Sequence, residues 1–184
     1  LIAKSKNLNL CINNIDLFNP GYRLAKNKIK QPTFLEYGIA GTVKRNDCNA
    51  TWDYLCHPVA VALDVFGGSP EIVDIEGDDN AVGVKLRFGE AYARLNASRI
   101  NPNKLRLLDL WSKDDHCYFN MISDEVWDNT SDEWELLKHD NTLPLTVLLR
   151  EFCAAVEAKE VRFSADLGVK VVKLLEEIDG HIKA

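Results

Sequence analysis

Between Glu71 and Ile122 the chain alternates apolar and polar residues with a period of two through five successive segments. These are Glu71-Ile-Val-Asp-Ile-Glu76, Ala81-Val-Gly-Val-Lys-Leu-Arg-Phe88, Ala91-Tyr-Ala-Arg-Leu-Asn-Ala-Ser98, Lys104-Leu-Arg-Leu-Leu-Asp-Leu-Trp111 and His116-Cys-Tyr-Phe-Asn-Met-Ile122. That period places one set of side chains on each face of a sheet, and turns as short as GDDN and FGEA favour antiparallel neighbours. Such a meander needs cover, and the flanking sequence supplies it as predicted helices over Tyr22–Lys30, Thr51–Phe66, Leu145–Lys159 and Ser164–Lys183. In the last of these, Ser164 stands as N-cap before Leu167, Val171, Leu174, Leu175 and Ile178. The predicted class is α+β: a large, mostly antiparallel sheet with helices packed on one face.

Two further segments read as strands. Phe34–Arg45 is strand-like, with Gly38 and Gly41 at a bulge or close contact, and Leu8–Asn14 reads as a short buried strand after the tail of a helix over Leu1–Asn7. Asn19-Pro20 with Gly21 starts the first full helix, and Gly67-Gly68 closes the one before Glu71. Leu, Val, Phe and Trp occur on both faces of the meander, so its open face is expected to form a homodimer or tetramer contact.

Composition excludes several classes. With 184 residues, 46% of them hydrophobic, the chain can bury one good core. A formal charge of −6, with no long Lys/Arg run, argues against nucleic acid and anionic membrane as partners. No apolar stretch reaches spanning length, the longest being Pro58–Val65 with Asp64 inside it. The five cysteines, Cys11, Cys48, Cys56, Cys117 and Cys153, never fall in C-x-x-C spacing, which suggests neither disulfides nor zinc and is simplest in a reducing, cytoplasmic compartment.

The chemistry-bearing stretch is Thr51-Trp-Asp-Tyr-Leu-Cys-His57-Pro58. On one helical turn Asp53 and His57 would share a face, and the carboxylate would orient the ring and favour its protonated form. In the alternative reading Asp53 caps the helix and His57 is a satisfied, half-buried ring. Pro58 cannot accept a place deep in a helix, so the regular helix is expected to begin near Cys56 or His57. Tyr22 and Arg23 could reach a sugar hydroxyl or phosphate. Arg99, Lys104 and Arg106 could meet a diphosphate, although alternating basic residues on a strand commonly form its wet face. Trp127 and Trp134 lie in SDEVWDNTSDEWE, which suits a solvated hairpin or a lid. His116, His139 and His181 lack ligand spacing.

These segments, in this order, resemble the C-terminal portion of the Gfo/Idh/MocA oxidoreductases. LNLCINNIDLFNP, Leu8 to Pro20, is similar to the last Rossmann strand and the passage into the second domain, with Leu17 where the family commonly has Arg. TWDYLCHPVAVALDVFGGSPEIV is similar to the family's D-x-x-x-H, helix, glycine and strand, with Ala60 where an Asp is frequent. Ala97–Arg106, Leu143-Pro-Leu-Thr-Val-Leu-Leu-Arg-Glu-Phe and Ala165-Asp-Leu-Gly-Val resemble later family segments.

The resemblance implies residues 1–18 as a remnant of the Rossmann half plus domain passage, and residues 19–184 as a substrate-binding and oligomerisation domain. It implies hydride exchange with NAD or NADP at a hydroxyl or keto carbon of a sugar, inositol or nucleotide sugar, with His57 as proton shuttle and Asp53 as its orienter. Tyr22, Arg23, Arg99 and Lys104 become the substrate-binding candidates. G-x-G-x-x-G and the family's E-K-P lysine do not occur in the sequence, so these residues alone are expected to bind no dinucleotide. The opposing expectation is a non-catalytic sheet domain that only oligomerises or binds a partner.

Overall fold

The computed structural model describes residues 2–42, 47–129, 133–160 and 165–183. Its elements are α1 (Ile2–Ser5), a 3-10 turn (Ile15–Phe18), α2 (Pro20–Lys28), β1 (Phe34–Ala40), a π turn (Thr51–Leu55), α3 (Cys56–Phe66), β2 (Glu71–Gly77), β3 (Ala81–Phe88), β4 (Ala91–Ser98), β5 (Leu105–Trp111), β6 (His116–Asn120), β7 (Glu125–Asp128), β8 (Glu135–Leu137), α4 (Pro144–Glu157) and α5 (Asp166–Ile182). The predicted cap at Ser164 and the end of the predicted first strand at Arg45 lie outside the described residues.

The strands form one eight-stranded sheet in the order β2-β3-β4-β1-β5-β6-β7-β8. All neighbours are antiparallel except β1 and β4, which run parallel from Phe34↔Tyr92 to Ala40↔Ser98. The α+β class and the five predicted strands therefore stand, but their simple meander does not. β1 enters between β4 and β5, and the Arg99–Lys104 link crosses over the width of that inserted strand. Period-two alternation specifies which side chains share a face, not which strand lies alongside, and this is why the insertion is invisible locally.

The second correction is at Leu8–Asn14, which forms no strand. This segment lies over the start of α5, where a Cβ on Gly168 would come within 2.7 Å of Ile12 Cγ1, and Asn9 Nδ2 donates to Glu160 O at 2.8 Å. It has no sheet ladder beside it, and Leu8, Leu10 and Ile12 are exposed.

The helices cover one face. Leu35 and Tyr37 on β1, Val84 and Leu86 on β3, Ala93 and Leu95 on β4, Leu108 and Leu110 on β5, and Phe119 on β6 are all buried there, together with Val59–Leu63 of α3 and Leu174, Leu175 and Ile178 of α5. Burial of each Val, Leu, Ile or Phe among them contributes about 1.5–3 kcal/mol. Two glycines answer local demands of this packing, one of space and one of backbone conformation. A Cβ on Gly21 in α2 would stand 2.6 Å from the Phe119 ring, and Gly67, at φ +70°, ends α3 in a conformation that a side chain strains. Asn19 caps α2 by accepting from Gly21 N at 2.8 Å, and Pro20 occupies the position where a missing N–H costs nothing.

Candidate functional site

The TWDYL sequence before His57 is wound as a π turn, and regular α-helix begins at Cys56. Pro58 is then the third residue of the regular α-helix, directly behind the π turn. Wider i→i+5 winding also alters the register of Asp53 and His57, which an ideal helix would stack four apart. The two side chains consequently meet different partners. Asp53 Oδ2 lies 4.0 Å from Arg99 Nε, whereas His57 Nδ1 lies 3.7 Å from Oδ2 of Asp16, an acid from the 3-10 turn.

Asp16 is buried, with 5% of its surface exposed. It accepts from Tyr37 Oη at 2.6 Å and from Arg106 Nη2 at 2.7 and 3.0 Å, while Arg106 Nε donates to the same Tyr37 oxygen at 3.0 Å. Tyr37 is fully buried, and Met121 Sδ is 3.3 Å from its hydroxyl. Burial, with the Asp16 charge adding to it, raises the Tyr37 phenol well above its usual range. The His57 side chain is 27% exposed, so the ring is partly open to solvent. Its pKa is lowered from the ordinary 6.5: burial disfavours the imidazolium and Arg106 repels it, while Asp16 and Asp53 act in the opposite direction. A base of this kind is neutral near physiological pH and can accept a proton. Beside it, burial pushes the Cys56 thiol up to about 11, which keeps it protonated near neutral pH.

The other sequence candidates separate. Tyr22 is 1% exposed, and its hydroxyl donates to Asp64 of α3, where Lys26 Nζ also binds at 2.7 Å. Arg23 forks onto Glu151 of α4, with Nη2 to Oε2 at 3.1 Å, donates from Nε to Leu17 O at 2.9 Å, and lies over the Phe18 ring. Both tie helices together. Arg99 is buried at 2% exposure, donates to Cys48 O, and braces the loop before the π turn. Lys104 is exposed at the head of β5. Arg106 has the parity of Leu108 and Leu110 and so points to the helix side, not to the wet face. Asp16 and Tyr37 were not singled out by sequence reasoning. The only available signals were an acid inside the apolar run IDLF and a tyrosine in phase with Leu35.

Gly38, Gly41, Gly67 and Gly68 do not lead directly from a strand into the start of a helix. Gly38 lies inside β1 with Asn96 and Leu107 on either side, a Cβ on Gly41 would meet Tyr54 Oη at 2.7 Å, and Gly67 and Gly68 follow the end of α3 rather than the start of a helix. Among the described residues no group of His, Cys, Asp and Glu could hold a metal ion, and no helix is long and apolar enough to cross a membrane.

This fold is that of the C-terminal portion of Gfo/Idh/MocA-type oxidoreductases. UDP-N-acetylglucosamine 3-dehydrogenase GnnA from Acidithiobacillus ferrooxidans superposes over 98% of this chain and 64% of its own, at 18% identity and a TM-score of 0.88. The dehydrogenase MviM from Clostridium difficile gives 98% and 64%, at 17% identity and 0.86. KijD10, a 3-ketoreductase from Actinomadura kijaniata solved with TDP-benzene and NADP, gives 97% and 63%, at 16% identity and 0.83. The chain thus spans a little under two thirds of these proteins. No family model matches the sequence, and no curated protein matches it.

Proposed function

We infer that this chain is the substrate-binding and oligomerisation portion of a nicotinamide-dependent oxidoreductase of the Gfo/Idh/MocA type, acting on a hydroxyl or keto group of a sugar or nucleotide sugar. The observation that carries this reading is the half-open, neutral-leaning His57 at the start of α3, on a fold whose solved neighbours include a UDP-N-acetylglucosamine dehydrogenase and a 3-ketoreductase. NAD or NADP, held by residues outside this chain, would exchange the hydride. His57 takes the hydroxyl proton as the carbon is oxidised and returns it in reduction, and Asp53 lends negative charge that favours the protonated ring. Lys104, exposed just before β5, offers a cation to a substrate phosphate, while Tyr22, Arg23 and Arg99 hold the scaffold. The open sheet face is the surface through which copies associate.

Nucleotide-sugar oxidation by the protein that carries these residues, followed through nicotinamide absorbance, tests the assignment. His57→Asn is expected to lower turnover by ~10²-fold or more with melting temperature unchanged, and Asp53→Asn to lower it less. The expected fluorescence titration of these 184 residues with NADH or NADPH shows no saturation. Unchanged turnover in His57→Asn removes the catalytic role and leaves a sheet domain that only associates.

A further inference from the structure

We propose that Asp16, held by Tyr37 and Arg106, is the positioning residue that fixes the ring and tautomer of His57, in place of the acid four residues before the histidine. This rests on the catalytic role inferred for His57. The acid sits where such a residue must: its Oδ2 is 3.7 Å from Nδ1, so a proton carried on Nδ1 faces a carboxylate. The opposite nitrogen, Nε2, is then left with a lone pair for a substrate hydroxyl. A gap of 3.7 Å exceeds a hydrogen bond, and such bonds commonly tighten when substrate arrives.

What distinguishes Asp16 is how firmly it is held. Its two oxygens take three contacts from Tyr37 and Arg106, and those two residues are themselves joined by Arg106 Nε to Tyr37 Oη. The cluster closes on itself across three elements, the 3-10 turn, β1 and β5, so the carboxylate has little freedom to swing away from the ring. A group that must orient another within a fraction of an ångström requires that rigidity. Asp53 belongs to a π turn, lies 4.0 Å from the guanidinium of Arg99, and acts on the His57 ring through its charge. Among the described residues, the charged and titratable groups facing His57 are Asp16 from the 3-10 turn, Arg106 from β5, Asp53 from the π turn and Cys56 beside it, with Tyr37 behind Asp16.

The test is nitrogen-15 NMR of the histidine rings in the full chain, with the His57 signals assigned by their loss in His57→Asn. The wild-type neutral ring is expected to carry its proton on Nδ1, and a ring protonated on Nε2 overturns the proposal. Asp16→Asn is expected to return the ring toward the mixed tautomers of free imidazole and to move its titration midpoint down, since a favourable charge is lost. Asp53→Asn should move the midpoint less and leave the tautomer in place; an equal or larger tautomer change there overturns the proposal. Should Asp16→Asn fail to fold, Tyr37→Phe keeps the ring volume, removes one donor to Asp16, and is expected to broaden the tautomer population, whereas an unchanged population counts against the proposal. Where turnover is measurable, Asp16→Asn should lower kcat by up to ~10²-fold at unchanged KM. The spectroscopic readings do not depend on turnover. A correct tautomer with an inactive-site His57 would reject the oxidoreductase reading alone, and an active His57 with the wrong tautomer would reject Asp16 alone.

Discussion

The same strands present two unlike faces. On the helix side Leu35, Leu95, Leu108 and Phe119 are fully buried under α2, α3 and α5. On the open side the neighbouring residues shelter one another: Phe34 tilts against Trp111 at 5.2 Å, Trp111 stacks on His116 at 4.3 Å, and the edge of Trp134 meets His116 at 4.9 Å. Farther along that face, the Tyr92 ring lies under Lys85 and Arg87 pairs with Glu71. Alternation alone would make the faces equivalent. The difference teaches that the covered face derives its stability from removal of apolar area from water, whereas the open face keeps amphipathic rings half-wet, which suits a surface that meets another copy.

Truncation separates the faces most sharply. Phe119→Ala on the covered face opens a cavity where Gly21 lets α2 approach, and is expected to cost about 3–5 kcal/mol in denaturant unfolding. Trp111→Ala on the open face should cost less, about 0.5–1.5 kcal/mol beyond its modest area term, and should shift sedimentation toward the monomer. A loss at Trp111 as large as at Phe119 would break the distinction, and a wild-type monomer at high concentration would remove the assembly role proposed for the open face.

A smaller effect comes from the rim of the covered face. Because burial lowers the His57 pKa, the folded chain resists a proton that the unfolded chain takes up below about 6.5. Stability from this residue is complete above that value and falls as the pH drops through the window, until the folded ring is itself protonated. Melting curves across mildly acidic pH should therefore show a shallower slope in His57→Asn. The smallest effect is expected at Arg87→Ala, where the pair with Glu71 is open to solvent, and thermal unfolding should not shift measurably.

Local order was legible because it depends on local chemistry. Alternation and turn residues give β3 over Ala81–Phe88 and β4 over Ala91–Ser98 at the bounds read from the sequence, and Pro58 gives the start of α3 at Cys56. Asp53 and His57 were also found as a spacing, but the partner of each was not, since the π winding appears only in the folded backbone. A spacing of four describes neighbours on an ideal helix and nothing farther.

What the sequence determined by itself is the five strands between Glu71 and Ile122, the strand begun at Phe34, the helices α2 to α5, and the side of each that is apolar. Tertiary structure alone decided that β1 enters between β4 and β5 and that Leu8–Asn14 remains outside the sheet. It also decided that Asp16 meets Arg106 from 90 residues away and turns toward His57. The physical reason is common to these outcomes. Periodicity and propensity act over a few residues, whereas strand order and buried charge pairing are settled by which surfaces can be desolvated together once the chain is closed.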